Sequence, residues 1–387
     1  MKGADGDRSR PRGQLAQAAP DFLTRPRTIA EIPTPALLVD LPAMERNIRR
    51  MAAFFAQGPC RLRPHFKAHK TLQIARRQLA AGSCSGLTCA TVFEAEVAAE
   101  LCDDILIANQ VLGPGKAERV AKLAKRIDIK VAVDSAAGLE EIAAAARQAG
   151  VTVGVLVEVA AGFRCGVAPG EEAVALARRV AATEGVALRG IMGYEGHAVG
   201  LEDRGEREAA TRGAMARVLS SVAAVREAGL PCEIVSAGGT GTYDISGRIE
   251  GVTEVQAGSY ALMDTAYAKL GLPFEQAFSV LGTVLSRPST GMCVADCGHK
   301  ACTMDHGNPA VKGIEGANVV FLADEHALIS LPPGSAIEPG QRIELWPSHI
   351  DPTINLHDAL YAAEGDRVID VWPVAARGYA ERRRPGR

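Results

Sequence analysis

Between residues 61 and 259 the chain repeats one pattern: a short apolar run, a turn, then a segment of helical period. That alternation constrains the fold more than any other feature. Eight strand candidates are present: RLRPHFK (61–67), GLTCAT (86–91), ILIAN (105–109), IKVAVD (129–134), VGVLVEV (153–159), LRGIMGYE (188–195), EIVSAG (233–238) and EVQAGS (254–259). Between them, segments such as VFEAEVAAEL, KAERVAKLAKR and EEAVALARRVAAT carry apolar residues three and four apart, the mark of a helix with one buried face. Strands that alternate with helices run parallel, because each crossover returns the chain to the same end of the sheet. Eight of them predict an α/β fold, a (β/α)8 TIM barrel over residues 43–274. A doubly wound sheet is the competitor. No G-x-G-x-x-G follows the first strand, however, and reactive side chains follow many strands rather than one crevice.

After residue 275 the texture changes. MCVADCG, QRIELWP and RVIDVWPVAA are strand-like and separated by Pro and Gly turns, which predicts a C-terminal all-β domain over 275–387. PALLVDL precedes the barrel, so a strand within 33–42 is expected to join that β domain. Residues 1–32 contain basic side chains but no apolar core of a signal peptide, and read as a disordered tail. GYAERRRPGR reads as a solvated end. No run approaches 18 apolar residues, so no membrane span is expected and the cytoplasm follows by default. The 43 basic and 45 acidic residues nearly cancel and aromatics are 4% of the chain. Neither a field for nucleic acid nor a base-stacking platform is expected. The nine cysteines are odd in number and form no C-x-x-C pair, as expected of small reduced hydrophobes. Cys293, Cys297 and Cys302 near His299 match no usual zinc spacing.

Four segments could carry chemistry. In RPHFKAHK, Arg63, His65 and Lys67 share one face if the segment is a strand. Lys67 then lies beside two basic groups, which suits a Schiff-base lysine; the alternative is a solvated basic edge. SAGGTGT (236–242) and QAGSY (256–260) close the last two strands, where barrels often bind phosphate through backbone N–H groups. GFRCG and GYEGHA bring Arg164, Tyr194 and His197 to the same strand ends. Finally, His349 and Asp351 have i, i+2 spacing in SHIDPTINLHD and could share a divalent cation, with His357 and Asp358 as weaker candidates. A surface loop with a helix-capping Asp is the alternative there.

RPHFKAHK, GFRCGV, GYEGHA, SAGGTGTYD, QAGSY, DCGHKA and SHIDPTINLHD, in this order over roughly residues 33–380, resemble the D-threonine aldolase and D-serine dehydratase family. The resemblance implies an alanine racemase-type barrel that binds pyridoxal 5'-phosphate, a β domain with a metal site, and a homodimer. By position it implies that Lys67 holds the cofactor covalently. Arg164 lies near its ring oxygen, and His197 and Tyr194 lie near its ring. Ser236, Gly238, Gly239, Thr240, Gly258, Ser259 and Tyr260 match phosphate binders. Gln256 stands where alanine racemases have an arginine against the ring nitrogen. His349 and Asp351 match the metal ligands, and an oxygen ligand favours Mn or Mg over Zn. The implied reaction is cleavage of a β-hydroxy-D-amino acid such as D-threonine, with His197 or His65 as the base. Dehydration of D-serine or 3-hydroxy-D-aspartate is the alternative on the same fold, racemisation needs no metal, and a non-catalytic cofactor carrier needs no β domain.

Overall fold

The computed structural model describes residues 28–162 and 164–379. The first 27 residues and the end beyond 379, both read from sequence as tails, lie outside the described residues.

The repeated pattern folds as an eight-stranded parallel sheet. Strands β2 (Arg61–Leu62), β3 (Leu87–Cys89), β4 (Asp104–Gln110), β5 (Asp128–Val133), β6 (Val153–Glu158), β7 (Val186–Met192), β8 (Ile234–Ala237) and β9 (Glu254–Val255) pair in the order β2-β9-β8-β7-β6-β5-β4-β3. The two edges meet through parallel bridges Leu62–Cys84 and His65–Thr88, so the sheet closes on itself. The strands are covered on both faces. All six residues of β6 are buried, which is why the barrel strands read as unbroken apolar runs rather than alternating ones. Helices wrap the outside and start where the sequence supplies caps: Thr91, Ser135 and Asp203 each accept a backbone N–H three residues on, a contact that fixes a helix start.

The segment RLRPHFK departs from the strand expected of it. Pro64 has no N–H to give to a ladder, and β2 ends at Leu62. The chain then makes a 3-10 turn over Phe66–Ala68. Arg63 does not stand beside Lys67. It is buried in the barrel floor, paired with Glu254 (2.8 Å) and Asp104 (2.6 Å). Burial alone would lower its pKa; the two carboxylates raise it instead. Lys130 joins the same network through Asp104 and Asp128.

The second sheet has nine strands and is mostly antiparallel. β10 (Phe278–Ser289), β11 (Met292–Ala295), β12 (Ala310–Val311), β13 (Asn318–Leu322), β14 (Ala327–Ser330), β15 (Arg342–Trp346), β16 (Ala359–Glu364) and β17 (Arg367–Pro373) all follow the barrel. Strand β1 (Ala36–Asp40) precedes it, yet lies inside this sheet, antiparallel to β10 and parallel to β16. Residues 28–32, assigned from sequence to the tail, pack here as well: Thr28 bridges Arg367 and Ile32 is fully buried. The apolar Ile29 and Ile32 supply the reason, since both lie on the small core formed with Leu38 and Tyr361. A short helix, Ile350–Asn355, interrupts the sheet between β15 and β16 and packs against the 3-10 turn that carries Lys67. This helix and the residue before it carry part of the β domain's contribution to the barrel mouth. Among the described residues no helix is long and apolar enough to cross a membrane, and all nine cysteines are free thiols.

Candidate active site

A cavity of about 540 Å³ opens at the C-terminal ends of the barrel strands, roofed by the β domain. His65, Lys67, Arg164, Tyr194 and Gln256 line it from the barrel, with the turns at Gly238–Thr240 and Gly258–Ser259. His306, His349 and Asp351 line it from the β domain. Lys67 and Asp351 meet across the domain boundary, Nζ to Oδ2 3.7 Å. Lys70 points elsewhere: its Nζ pairs with Glu94 (3.4 Å) and donates to Asn355 Oδ1 (3.0 Å), on the short helix.

Lys67 therefore stands at the mouth because the 3-10 turn lifts it off the barrel wall, not because of strand parity. His65 is held neutral: burial pushes its pKa well down, and the Lys67 and Arg164 cations push the same way. Arg164 is fixed by Glu158, whose buried carboxylate accepts from it at 2.9 Å and from Gln110 at 2.5 Å. Its guanidinium lies 5.9 Å from the centre of the Tyr194 ring. Burial pushes the Tyr194 phenol up to about 12, so that group stays protonated near neutrality. His197 is not among the cavity-lining residues; its Nδ1 lies against Gly162, where a Cβ would approach it to 2.8 Å.

The glycine turns form a cup, but not quite as the sequence suggests. Gly238 has φ +76, a conformation that glycine adopts without strain. Its N–H, however, already donates to Glu195, and that of Gly239 to Thr242. Glu195 is fully buried and also accepts from Thr242 and Ser246 hydroxyls at 2.8 and 2.5 Å. One carboxylate that sequence reasoning passed over thus ties the whole 236–246 turn together. Among the described residues the N–H groups of Thr240, Gly258 and Ser259, which border the cavity, have no partner. At Gly258 a Cβ would lie 2.7 Å from the His65 carbonyl oxygen, so no side chain fits. Ser236 and Tyr260 are fully buried behind the cup: Ser236 Oγ accepts from Gln256, and Tyr260 Oη accepts from Gln78. They shape the site rather than line it.

On the β-domain side His349 occupies the N-cap position of the short helix and Asp351 lies in its first turn. Asp351 Oδ1 is buried with no hydrogen-bond partner. A buried carboxylate oxygen without a donor is rare and costly unless a cation or a water meets it, so His349 and Asp351 fit a divalent ion. Asp264 braces this helix, accepting from Tyr267 N at 2.9 Å and from Ile350 N at 3.3 Å. Burial pushes its pKa up to about 6. His357 and Asp358 point away, to the Ala301 carbonyl and to Arg377. Asp305 and His306, which no sequence pattern singled out, stand beside His349.

A closed parallel barrel with a lysine at its mouth, joined to an all-β domain, is the architecture of alanine racemases. The chain belongs to that family: the model of the alanine racemase N-terminal domain matches residues 39–266, and that of a putative serine dehydratase domain matches 277–363. Within it, the chain is 40% identical over 361 residues to a D-threonine aldolase from Arthrobacter sp., covering 91% of this chain and 94% of that one. It is 35% identical to a 3-hydroxy-D-aspartate aldolase from Paracoccus denitrificans (strain Pd 1222), covering 90% and 93%. The solved structure of D-threonine aldolase from Filomicrobium marinum superposes with a TM-score of 0.89 at 39% identity, covering 93% of this chain and 99% of that one.

Proposed function

We propose that this protein is an aldolase that cleaves β-hydroxy-D-amino acids, converting D-threonine to glycine and acetaldehyde, with pyridoxal phosphate and a divalent metal. The observation that carries this reading is the pairing of Lys67 with Asp351 across the cavity, 3.7 Å apart, with Asp351 Oδ1 buried and unsatisfied. It supports the reading because the amine would hold the cofactor and the carboxylate beside it would hold a cation. A racemase or a mere carrier of the cofactor needs no such carboxylate.

Lys67 would hold the cofactor covalently, with Arg164 beside it and the amides of Thr240, Gly258 and Ser259 on its phosphate. Gln256 presents a neutral amide, which does not hold a ring nitrogen protonated as a carboxylate would. The cofactor, when bound, supplies an electron sink for the carbanion left at Cα. The ion, when bound by His349 and Asp351, supplies positive charge that eases loss of a β-hydroxyl proton. An oxygen ligand at Asp351 favours Mn or Mg over Zn. His65 and His197 are the candidate bases: His65 lines the cavity, where burial and the Lys67 and Arg164 cations oppose its protonation, and His197 is set behind the wall. The Cα–Cβ pair then stays with Cα, the aldehyde departs, and a proton returned to Cα completes glycine.

Dehydration is the second reading, favoured by the serine dehydratase match over residues 277–363. Product analysis with D-threonine tests both. Glycine plus acetaldehyde is the expected result; 2-oxobutanoate plus ammonia would replace the aldolase with a dehydratase.

A further inference from the structure

The loop between β11 and β12 reaches the cavity mouth with Asp305 and His306. With His349 they place three potential ligand atoms within 4.8 Å of one another. The trio looks like a chelate, but its geometry argues otherwise. A metal bound to an imidazole lies in the plane of the ring, along a nitrogen lone pair. The His306 and His349 rings are stacked, with centroids 4.2 Å apart and 6° between planes. Two nearly parallel planes leave no point for a shared ion. Asp305 Oδ2 and His349 Nδ1 are only 2.5 Å apart. Two neighbouring ligands of one octahedral ion at about 2.1 Å stand roughly 3 Å apart, so this contact is a hydrogen bond between them.

We propose that Asp305 is the positioning residue for a metal-binding imidazole of His349; this rests on reading His349 and Asp351 as the cation site. Asp305 accepts the Nδ1 proton of His349. That choice fixes the tautomer and leaves Nε2 as the nitrogen with a lone pair. The pair is also anchored. Thr353, on the short helix, accepts the Thr303 N–H at 3.2 Å, and its hydroxyl lies 2.9 Å from that of Thr303 and donates to the His349 carbonyl at 2.8 Å. The Asp305 loop and the His349 helix are thus held in register, and the stacked His306 ring limits rotation of His349.

The test is Mn2+ binding to the cofactor-loaded protein, read by the electron paramagnetic resonance of free Mn2+, with 15N NMR of the imidazoles in the metal-free protein. Asp305→Ala should weaken Mn2+ binding about 10–100-fold, the usual effect of losing such a partner. Its His349 should shift from the Nδ1–H towards the Nε2–H tautomer. Asp305→Asn, which still accepts from Nδ1–H, should keep the tautomer and recover much of the affinity. It also keeps the question open to measurement if the alanine variant does not fold. His349→Ala should not bind. Wild-type affinity in Asp305→Ala, with binding lost in His349→Ala, would overturn the positioning role and leave the metal site standing. Wild-type affinity in His349→Ala would overturn the metal site itself. Equal loss in both Asp305 variants with the tautomer unchanged would make Asp305 a direct ligand and also sink the proposal.

Discussion

Glu195 and Asp351 serve opposite walls of one cavity, and their surroundings differ. Glu195, on the barrel side, is fully buried and accepts three hydrogen bonds from the 236–246 turn. Asp351, on the β-domain side, keeps one buried oxygen without a donor and reaches for a lysine of the other domain. The central turn of the barrel wall is tied down by the chain's own hydrogen bonds. The β-domain wall is braced by groups brought to it from the barrel: Lys70 reaching Asn355 and Asp264 reaching Ile350. The lesson is that cofactor binding and metal binding should respond to different mutations.

The largest effect should come from the residue both walls share. Lys67→Ala should reduce cleavage of D-threonine to background, and borohydride reduction with pyridoxal phosphate followed by peptide mapping should label Lys67. Label on Lys70 would reverse the assignment of the two lysines. Next, exhaustive chelation should abolish cleavage while leaving the bound cofactor's absorbance in place, and added Mn2+ should restore turnover. Full activity in the chelated protein would remove the β-domain wall from the chemistry.

Gly258→Ala should strike the barrel wall alone. Its Cβ would meet backbone 2.7 Å away. A strain of about 1–3 kcal/mol, typical of such a clash, corresponds to about 5–150-fold in cofactor affinity, with Mn2+ affinity unchanged. Asn355→Ala is the mirror experiment. Losing the two hydrogen bonds that its Oδ1 accepts, from Lys70 Nζ and Gly378 N, at about 1 kcal/mol each, should weaken Mn2+ binding about 5–30-fold, with cofactor affinity unchanged. Calorimetric titration of both ligands against both variants checks the separation; if each variant weakens both ligands alike, the walls are not independent.

The smallest effect is silent at neutral pH. Burial holds the His69 imidazole down to about 4, despite the hydrogen bond between its Nε2 and Gln78 Oε1. The unfolded chain takes up that proton near pH 6.5 and the folded chain does not, so this stability is present above 6.5 and lost as pH falls towards 4. His69→Asn should reduce the fall in unfolding free energy between pH 7 and 4.5 by on the order of 2 kcal/mol. Equal pH slopes in urea titrations of the two proteins would contradict it.

How much of this was legible in the sequence divides along the same line. The alternation that makes the barrel is local, and the glycine turns, Lys67, Arg164 and Tyr194 could be placed from it. Strand parity failed at Arg63, because Pro64 ends the strand and the guanidinium found carboxylates on β4 and β9 instead. Glu195 was visible in GYEGHA, but only the fold shows that it points back into the 236–246 turn. Asp305 left no signal, because its partner His349 lies 44 residues further on. Residues 28–32 were misjudged for a similar reason: their polar neighbours in sequence hide an apolar seat formed by distant strands.

Strand β1 has a consequence for the order of assembly. It is made first, yet both its partners, β10 and β16, emerge from the ribosome after the entire barrel; Val39 lies opposite Phe278. At about 5–20 residues per second, roughly 12–48 s of synthesis separate the two. The barrel has that interval in which to fold, while β1 stays tethered to its first helix with two open edges. The second sheet is therefore sealed last and from the inside, by a strand already anchored to the finished barrel. A truncation that removes β1 would not trim an end; it would split the C-terminal sheet between β10 and β16.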